Sequence, residues 1–183
     1  MRNRLRIIGG QWRSRQVSFV DIPGLRPTPA RVRETVFNWL QNDIIGSRCL
    51  DLYAGSGALG FEAASRGAKS VTLVENNAQA CRALKNNAIV LAADQINIVQ
   101  MDVFRYLAGD AEPYNIVFLD PPFAMNRAVQ TCHWLENKGW LRKEGLCYVE
   151  AESRLELEGL PETWHQLKSK TAGDVGYHLF KHV

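Results

Sequence analysis

The chain has 183 residues, 46% apolar and 22% charged, with a formal net charge of +3. That size and composition fit one globular domain with room for a small extension, and they exclude a largely disordered chain, a collagen and a coiled coil. No apolar run approaches the ~18–20 residues of a membrane span. The N-terminus has charge but no apolar stretch behind it, so it does not read as a secretory signal; Ile7, Ile8, Trp12 and Val17 look structural rather than parts of a transit peptide. Cys49, Cys81, Cys132 and Cys147 are far apart with no C-x-x-C, which suits buried thiols in a reducing cytosol better than a zinc or redox site. His133, His165, His178 and His182 have no Cys or carboxylate partner at ligand spacing. The expectation is a cytoplasmic monomer with no metal and no membrane contact.

The small net charge conceals a segregation. Residues 1–33 hold eight arginines, no lysine and one acid, Asp21, a net +7; the other 150 residues hold 14 basic and 18 acidic groups, a net −4. A basic head on a near-neutral body suits a polyanion partner. Arginine is the better phosphate fork, because its planar donors reach two oxygens at once. Arg6, Arg13, Arg15, Arg26, Arg31 and Arg33 are therefore the expected RNA contacts, within an extension over 1–43 that precedes a body over 44–183.

In chain order, Leu5–Ile8 and Gln16–Val20 read as a β-hairpin turned at Gly9–Gly10. Thr28 is a plausible N-cap and Pro29 a plausible first residue for a helix over about 30–42, with Val32, Val36, Phe37 and Leu40 as its apolar stripe. Arg31 and Arg33 in its first turn oppose the helix dipole, so function explains them better than stability. From Cys49 onward, apolar strands alternate with helical patterns. Strands are expected at 49–53, 70–75, 96–101, 114–119 and 145–150, with helices through about Arg66, over 77–91 and over 127–138. The strands at 164–170 and 177–181 are joined by a short turn and must be antiparallel. The alternation specifies an α/β domain with a parallel sheet covered on both faces.

The first body strand runs into Asp51-Leu52-Tyr53-Ala54-Gly55-Ser56-Gly57-Ala58-Leu59-Gly60, a G-x-G-x-x-G loop opening a helix. Glu75 ends the next strand 20 residues after Gly55. Together these make an adenosine cradle, with glycines for close backbone approach and an acid for the ribose hydroxyls. The spacing leaves NAD and S-adenosylmethionine both open. Asp51 favours the latter, since a carboxylate there suits a cationic amino-acid moiety and would repel a pyrophosphate. Asp102 ends the third strand, within reach of an adenine amino group. The length leaves no room for a dehydrogenase's substrate domain. The expected S-adenosyl-L-methionine contacts are Asp51, Tyr53, Ala54, Gly55, Ser56, Gly57, Gly60, Glu75, Asn76, Asp102 and Val103.

The fourth body strand ends in Asp120-Pro121-Pro122-Phe123. Two stiff prolines without N–H donors cannot extend a central strand, so they fix a lip at the sheet's carboxyl end. Such a lip offers an exocyclic aromatic amine what it needs: acceptors at Asp120 and the Pro121 carbonyl, and a stacking face at Phe123. Catalysis would be chiefly positioning and electrostatics.

These motifs carry a resemblance. Arg6-Ile7-Ile8-Gly9-Gly10-Gln11-Trp12-Arg13 resembles the R-I-I-G-G-x-x-R of the bacterial 16S ribosomal RNA guanine-N2 methyltransferases. Arg26-Pro27-Thr28-Pro29-Ala30-Arg31-Val32-Arg33-Glu34 is similar to their R-P-T-x-x-x-x-R-E, and Asp51–Gly57 and Asp120–Phe123 complete the match. The resemblance implies a Rossmann-like class I methyltransferase fold, seven-stranded with an antiparallel last strand. It implies S-adenosylmethionine as cofactor and a small-subunit 16S rRNA guanine (guanine 966) as target, preferably within an assembled or partly assembled particle. It places the cofactor on the glycine loop and Glu75, the adenine at Asp102 and the base at Asp120–Phe123. The target base would have to be flipped out to reach that lip. The competing readings are a DNA adenine-N6 methyltransferase, for whose recognition domain there is no space, and an RNA-binding module with a non-catalytic core.

Overall fold

The computed structural model describes residues 3–122, 127–152 and 159–183. The head opens with β1 (Asn3–Arg6) and β2 (Gln16–Phe19), paired antiparallel from Asn3 opposite Phe19 to Arg6 opposite Gln16. The hairpin begins two residues earlier than expected, and its ladder continues beyond the strands through Ile7 N–H to Arg15 O and Ser14 N–H to Ile7 O, both 2.9 Å. Gly10 (φ +77°) is needed less for the turn than for close approach: a Cβ there would lie 1.8 Å from the Ser65 carbonyl oxygen.

Helix α1 (Ala30–Trp39) is shorter than the apolar stripe suggests, because Asp43 and Ile44 turn back to Leu40 O and bury Ile44. Its N-cap is Pro29, with no side-chain cap. The Thr28 hydroxyl, expected to cap it, is engaged elsewhere.

The body is a seven-stranded sheet of β3 (Arg48–Leu52), β4 (Ser70–Glu75), β5 (Ile96–Gln100), β6 (Tyr114–Leu119), β7 (Leu141–Glu152), β8 (Trp164–Ala172) and β9 (Val175–His182). The order is β5-β4-β3-β6-β7-β9-β8. The first five strands are parallel, and β9 runs antiparallel to both neighbours. Helices α2 (Ala58–Ser65), α3 (Ala78–Leu91), α4 (Val103–Leu107) and α5 (Arg127–Lys138) make the crossovers. The five-residue α4 is too short for a periodicity to announce it.

The sheet faces build two cores. Cys49, Leu73, Phe118 and Tyr148 pack with Leu5, Ile7, Trp12, Val17, Val36 and Phe37 of the head. Leu50, Leu52, Val117 and Val149 pack on the opposite face with Val103, Leu107, Cys132 and Leu135. Head and body thus share one core. The buried Asn87 of α3 strengthens the contact: its Oδ1 accepts from Ser18 N–H at 3.0 Å and its Nδ2 donates to Ser18 O at 2.7 Å, a side-chain copy of a β ladder.

Strand order reverses between β3 and β6, the switch point where open α/β sheets bind ligands. The register levels the strand ends there. Leu52 lies opposite Val74 and Leu119, and Leu119 lies opposite Val149. The next residues, Tyr53, Glu75, Asp120 and Glu150, therefore form one row along the sheet's carboxyl edge. Among the described residues no helix is long and apolar enough to cross a membrane.

Candidate functional site

The glycine loop is held from beneath. Asp51 is buried, and its Oδ2 accepts from Gly60 N–H at 2.9 Å. Gly60 must lack a Cβ, which would meet Leu73 Cδ2 at 2.1 Å as α2 passes over β4. Gly57 is the left-handed N-cap of α2, wedged where a Cβ would sit 2.6 Å from Leu84 and Phe61. Gly55 differs: a Cβ there would meet its first side chain, Leu25, only at 3.6 Å. Backbone at Gly55 is thus the open part of the loop. Ala54 and Ser56 are buried, with Ala54 N–H on Val74 O. Tyr53 takes φ +65°, a strained value for a bulky residue. Its hydroxyl meets Thr131 Oγ1 of α5 at 2.9 Å, which turns the ring toward the second core.

Glu75 fastens the loop to β4. Its Oε2 accepts from Gly55 N–H at 2.8 Å and its Oε1 from Asn77 N–H at 2.7 Å. A carboxylate offers about four acceptor sites, so both oxygens keep capacity for ribose hydroxyls. Asn76 beside it is exposed. Asp102 caps α4 through Oδ1, which accepts from Phe104 and Arg105 N–H, while Oδ2 takes no part in the cap. The Val103 side chain is buried in the second core, which leaves only its backbone for a ligand contact.

On the other side of the switch point, Asp120 follows β6, with Pro121 buried and Pro122 exposed. Phe123, the expected stacking face, lies outside the described residues. Three acids converge here. Burial, then the charges of Glu75 and Glu150, push Asp51 up to about 8, against the opposing hydrogen bond from Gly60. Burial, then the charges of Glu150 and Asp51, raise Asp120 well above the usual carboxylate range, and burial raises Glu150. A cluster of buried acids with raised proton affinity suits a ligand that carries a sulfonium and an ammonium. The open Gly55 backbone and Glu75 suit its adenosine, so the residues present fit S-adenosylmethionine.

The acids give a stability signature. An unfolded aspartate titrates near ~3.9, whereas Asp51 in the fold titrates at about 8. Between those values the folded protein holds more protons than the unfolded chain, so stability falls as pH rises. The cofactor-free protein is expected to melt at progressively lower temperature from about pH 5 to about pH 8, and Asp51→Asn to flatten that slope. A melting temperature with no downward trend across the window in the wild type would contradict the assignment.

The arginines divide. Arg6, Arg13, Arg15, Arg26 and Arg31 are exposed, with Arg15 Nη2 also reaching Val90 O at 3.0 Å. Arg33 corrects the sequence reading: it is 3% exposed and unavailable to phosphates. Its Nη1 pairs with Glu62 at 3.1 Å and donates to Arg6 O at 3.0 Å, and its Nε donates to Thr28 O at 3.1 Å. Glu62, also fully buried, accepts from Ile8 and Gly9 N–H and pairs with Arg66 at 2.8 Å. A cation in the first turn is unfavourable to the dipole, but the buried Glu62 beside it decides the matter.

Sequence reasoning missed one constellation. Thr28 Oγ1 lies 3.1 Å from Glu150 Oε1 and 3.5 Å from Asp120 Oδ2, and the buried Tyr148 hydroxyl donates to Glu150 Oε1 at 2.9 Å. The available signal was Glu150 itself, an acid closing an apolar strand level with Asp120.

Comparison with known proteins accords with this geometry. The family model described as Conserved hypothetical protein 95 matches residues 5–181. The Escherichia coli K12 protein named ribosomal RNA small subunit methyltransferase D is 46% identical over 178 residues, covering 97% of this chain and 90% of that protein. The solved Escherichia coli protein yhhF superposes with a TM-score of 0.93 at 44% identity, over 98% of both chains. A Thermus thermophilus 16S rRNA N2 G1207 methyltransferase, solved with AdoMet and guanosine, shares the fold at TM-score 0.74 and 23% identity, over all of this chain and 50% of that one. With the glycine loop, the Asp-Pro-Pro lip and this likeness end to end, the chain belongs to the family of the small-subunit ribosomal RNA methyltransferases D.

Proposed function

We propose that this protein transfers a methyl group from S-adenosylmethionine to the exocyclic N2 amine of one guanine in 16S rRNA. The target in this reading is guanine 966, in an assembled or partly assembled small subunit in the cytoplasm, with the protein acting as a monomer. The observation that carries the reading is the row Tyr53, Glu75, Asp120, Glu150 at the switch point, which sets a cofactor cradle beside an amine-accepting lip.

The cofactor, when bound, supplies an electrophilic methyl on a sulfonium. The chain supplies position. Glu75 and Asp102 hold the adenosine end, and the Asp51 side of the pocket faces the cationic end. Asp120 and the Pro121 carbonyl accept from the two amine N–H groups, which aims the nitrogen lone pair at the methyl. Asp120 or water beside it then receives the proton. The exposed Arg6, Arg13, Arg15, Arg26 and Arg31 engage phosphates around the flipped base.

Labelled methyl transfer to small subunits lacking this modification, followed by mapping of the labelled nucleotide, tests the reading; absence of label on a guanine of 16S RNA overturns it. Replacing Arg13, Arg15, Arg26 and Arg31 by Ala is expected to weaken RNA binding. It should also flatten the dependence of log K on log salt by about 0.7–0.9 per lost phosphate contact. An unchanged slope removes the head from the interface.

A further inference from the structure

We infer that Thr28 and Glu150 are positioning residues of the transfer step: the Thr28 and Tyr148 hydroxyls hold Glu150 as a carboxylate beside Asp120, and its charge keeps Asp120 an acceptor for the proton that the amine releases. The inference rests on the methyl-transfer reading of the same site and adds two residues to it.

The geometry is specific. One hydroxyl lies between Glu150 Oε1 at 3.1 Å and Asp120 Oδ2 at 3.5 Å. It has one proton to donate, so it satisfies only one carboxylate at a time. Tyr148 donates a second hydrogen bond to the same Glu150 oxygen at 2.9 Å. Thr28 and Glu150 are buried, and Glu150 lies beside Asp120 in register. Asp51 from β3 and Tyr148 from β7 face the pair, Glu75 from β4 faces Asp51, and Tyr177 of β9 lies opposite Glu150 in register. Arg33 holds the Thr28 carbonyl and is itself paired with Glu62. Two carboxylates this close in a buried, acid-lined site do not both ionise readily, and they titrate as a unit.

The consequence lies in the proton balance. The amine lone pair forms the N–C bond while the S–C bond breaks and its electrons remain on sulfur as a thioether. The nitrogen then carries a positive charge and releases one proton to the Asp120 carboxylate. The Glu150 carboxylate, held ionised by the Thr28 and Tyr148 hydroxyls, keeps its neighbour basic enough to accept that proton. The proton later leaves to water. The arrangement also explains the five-residue spacing of Thr28 and Arg33: the arginine pins the backbone that carries the bridging hydroxyl.

The test is the pH dependence of kcat on small subunits for the wild type, Glu150→Gln, Thr28→Val and Thr28→Ser. Gln keeps the acceptor for Tyr148 and Thr28 but carries no charge. Glu150→Gln is expected to move the acidic limb down by about one pH unit or more and to lower plateau kcat about tenfold, with KM for the cofactor within about twofold. Thr28→Val should lower kcat similarly and Thr28→Ser restore it. A purely structural role would change melting temperature without moving the limb. An unmoved limb with kcat within about twofold of wild type overturns the proposal. Carbon-13 carboxyl titration of the cofactor-free protein separates the two layers. Linked Asp120 and Glu150 titrations in the wild type, with a single lower Asp120 titration in Glu150→Gln, support the pair even if subunits are not methylated. Independent titrations overturn it even if they are.

Discussion

Asp120→Ala is expected to lower kcat for methyl transfer by about a thousandfold while cofactor affinity by calorimetry stays within about threefold. The lip offers the amine two acceptors, and one of them is a backbone carbonyl that no substitution removes. Losing Asp120 leaves one N–H unpaired and the nitrogen free to rotate its lone pair off the S–CH₃ line. Part of the effect is thus orientation and part is charge. Asp120→Asn divides them: it keeps an acceptor oxygen but cannot take a proton, so it should fall between wild type and Ala. The protein should not be destabilised, because burial and the charges of Glu150 and Asp51 already disfavour an ionised Asp120. A melting temperature at or above wild type, combined with lost turnover, identifies a functional group held at a cost to the fold. Turnover within tenfold of wild type would remove Asp120 from the chemistry.

The second large effect concerns stability. Glu62→Ala should destabilise by about 3–5 kcal/mol, because it leaves the buried Arg33 guanidinium without its counter-charge. It also deprives the Ile8 and Gly9 N–H groups of their acceptor. For a domain of this size that corresponds to a loss of about 10 °C or more in melting temperature. Arg33→Met alone should cost a similar amount, and Glu62→Ala with Arg33→Met less than the two single effects together, since removing both charges avoids an orphaned buried charge. Urea denaturation of the four proteins checks this. Additive losses would mean that the two groups act independently.

The range of each interaction decides whether the sequence discloses it. Local signals were legible: the β3 run Cys49–Leu52, the glycine loop, the helix over 77–91, and the turn that makes β9 antiparallel. Long-range pairings were not. Thr28 has the chemistry of an N-cap, and its immediate sequence gives no hint that its hydroxyl meets residues 92 and 122 positions away. Arg33 reads as a surface cation until Glu62, 29 positions later, is placed beside it. In the site, the same limit applied: the motif singled out Asp120, but Glu150 beside it came into view only with the register of β6 on β7.

The fastening of the head at both ends has a consequence for target choice. A module on a flexible tether raises local concentration but measures no distance. This one is bonded through Glu62 to the helix that opens at the glycine loop, and through Thr28 to the lip. Its exposed arginines therefore stand at a fixed span from the methyl-transfer point, like the arm of a caliper. In the proposed reading, the guanine methylated in a folded RNA is the one lying that span away from the phosphates the arginines grip, with little need to read the bases in between.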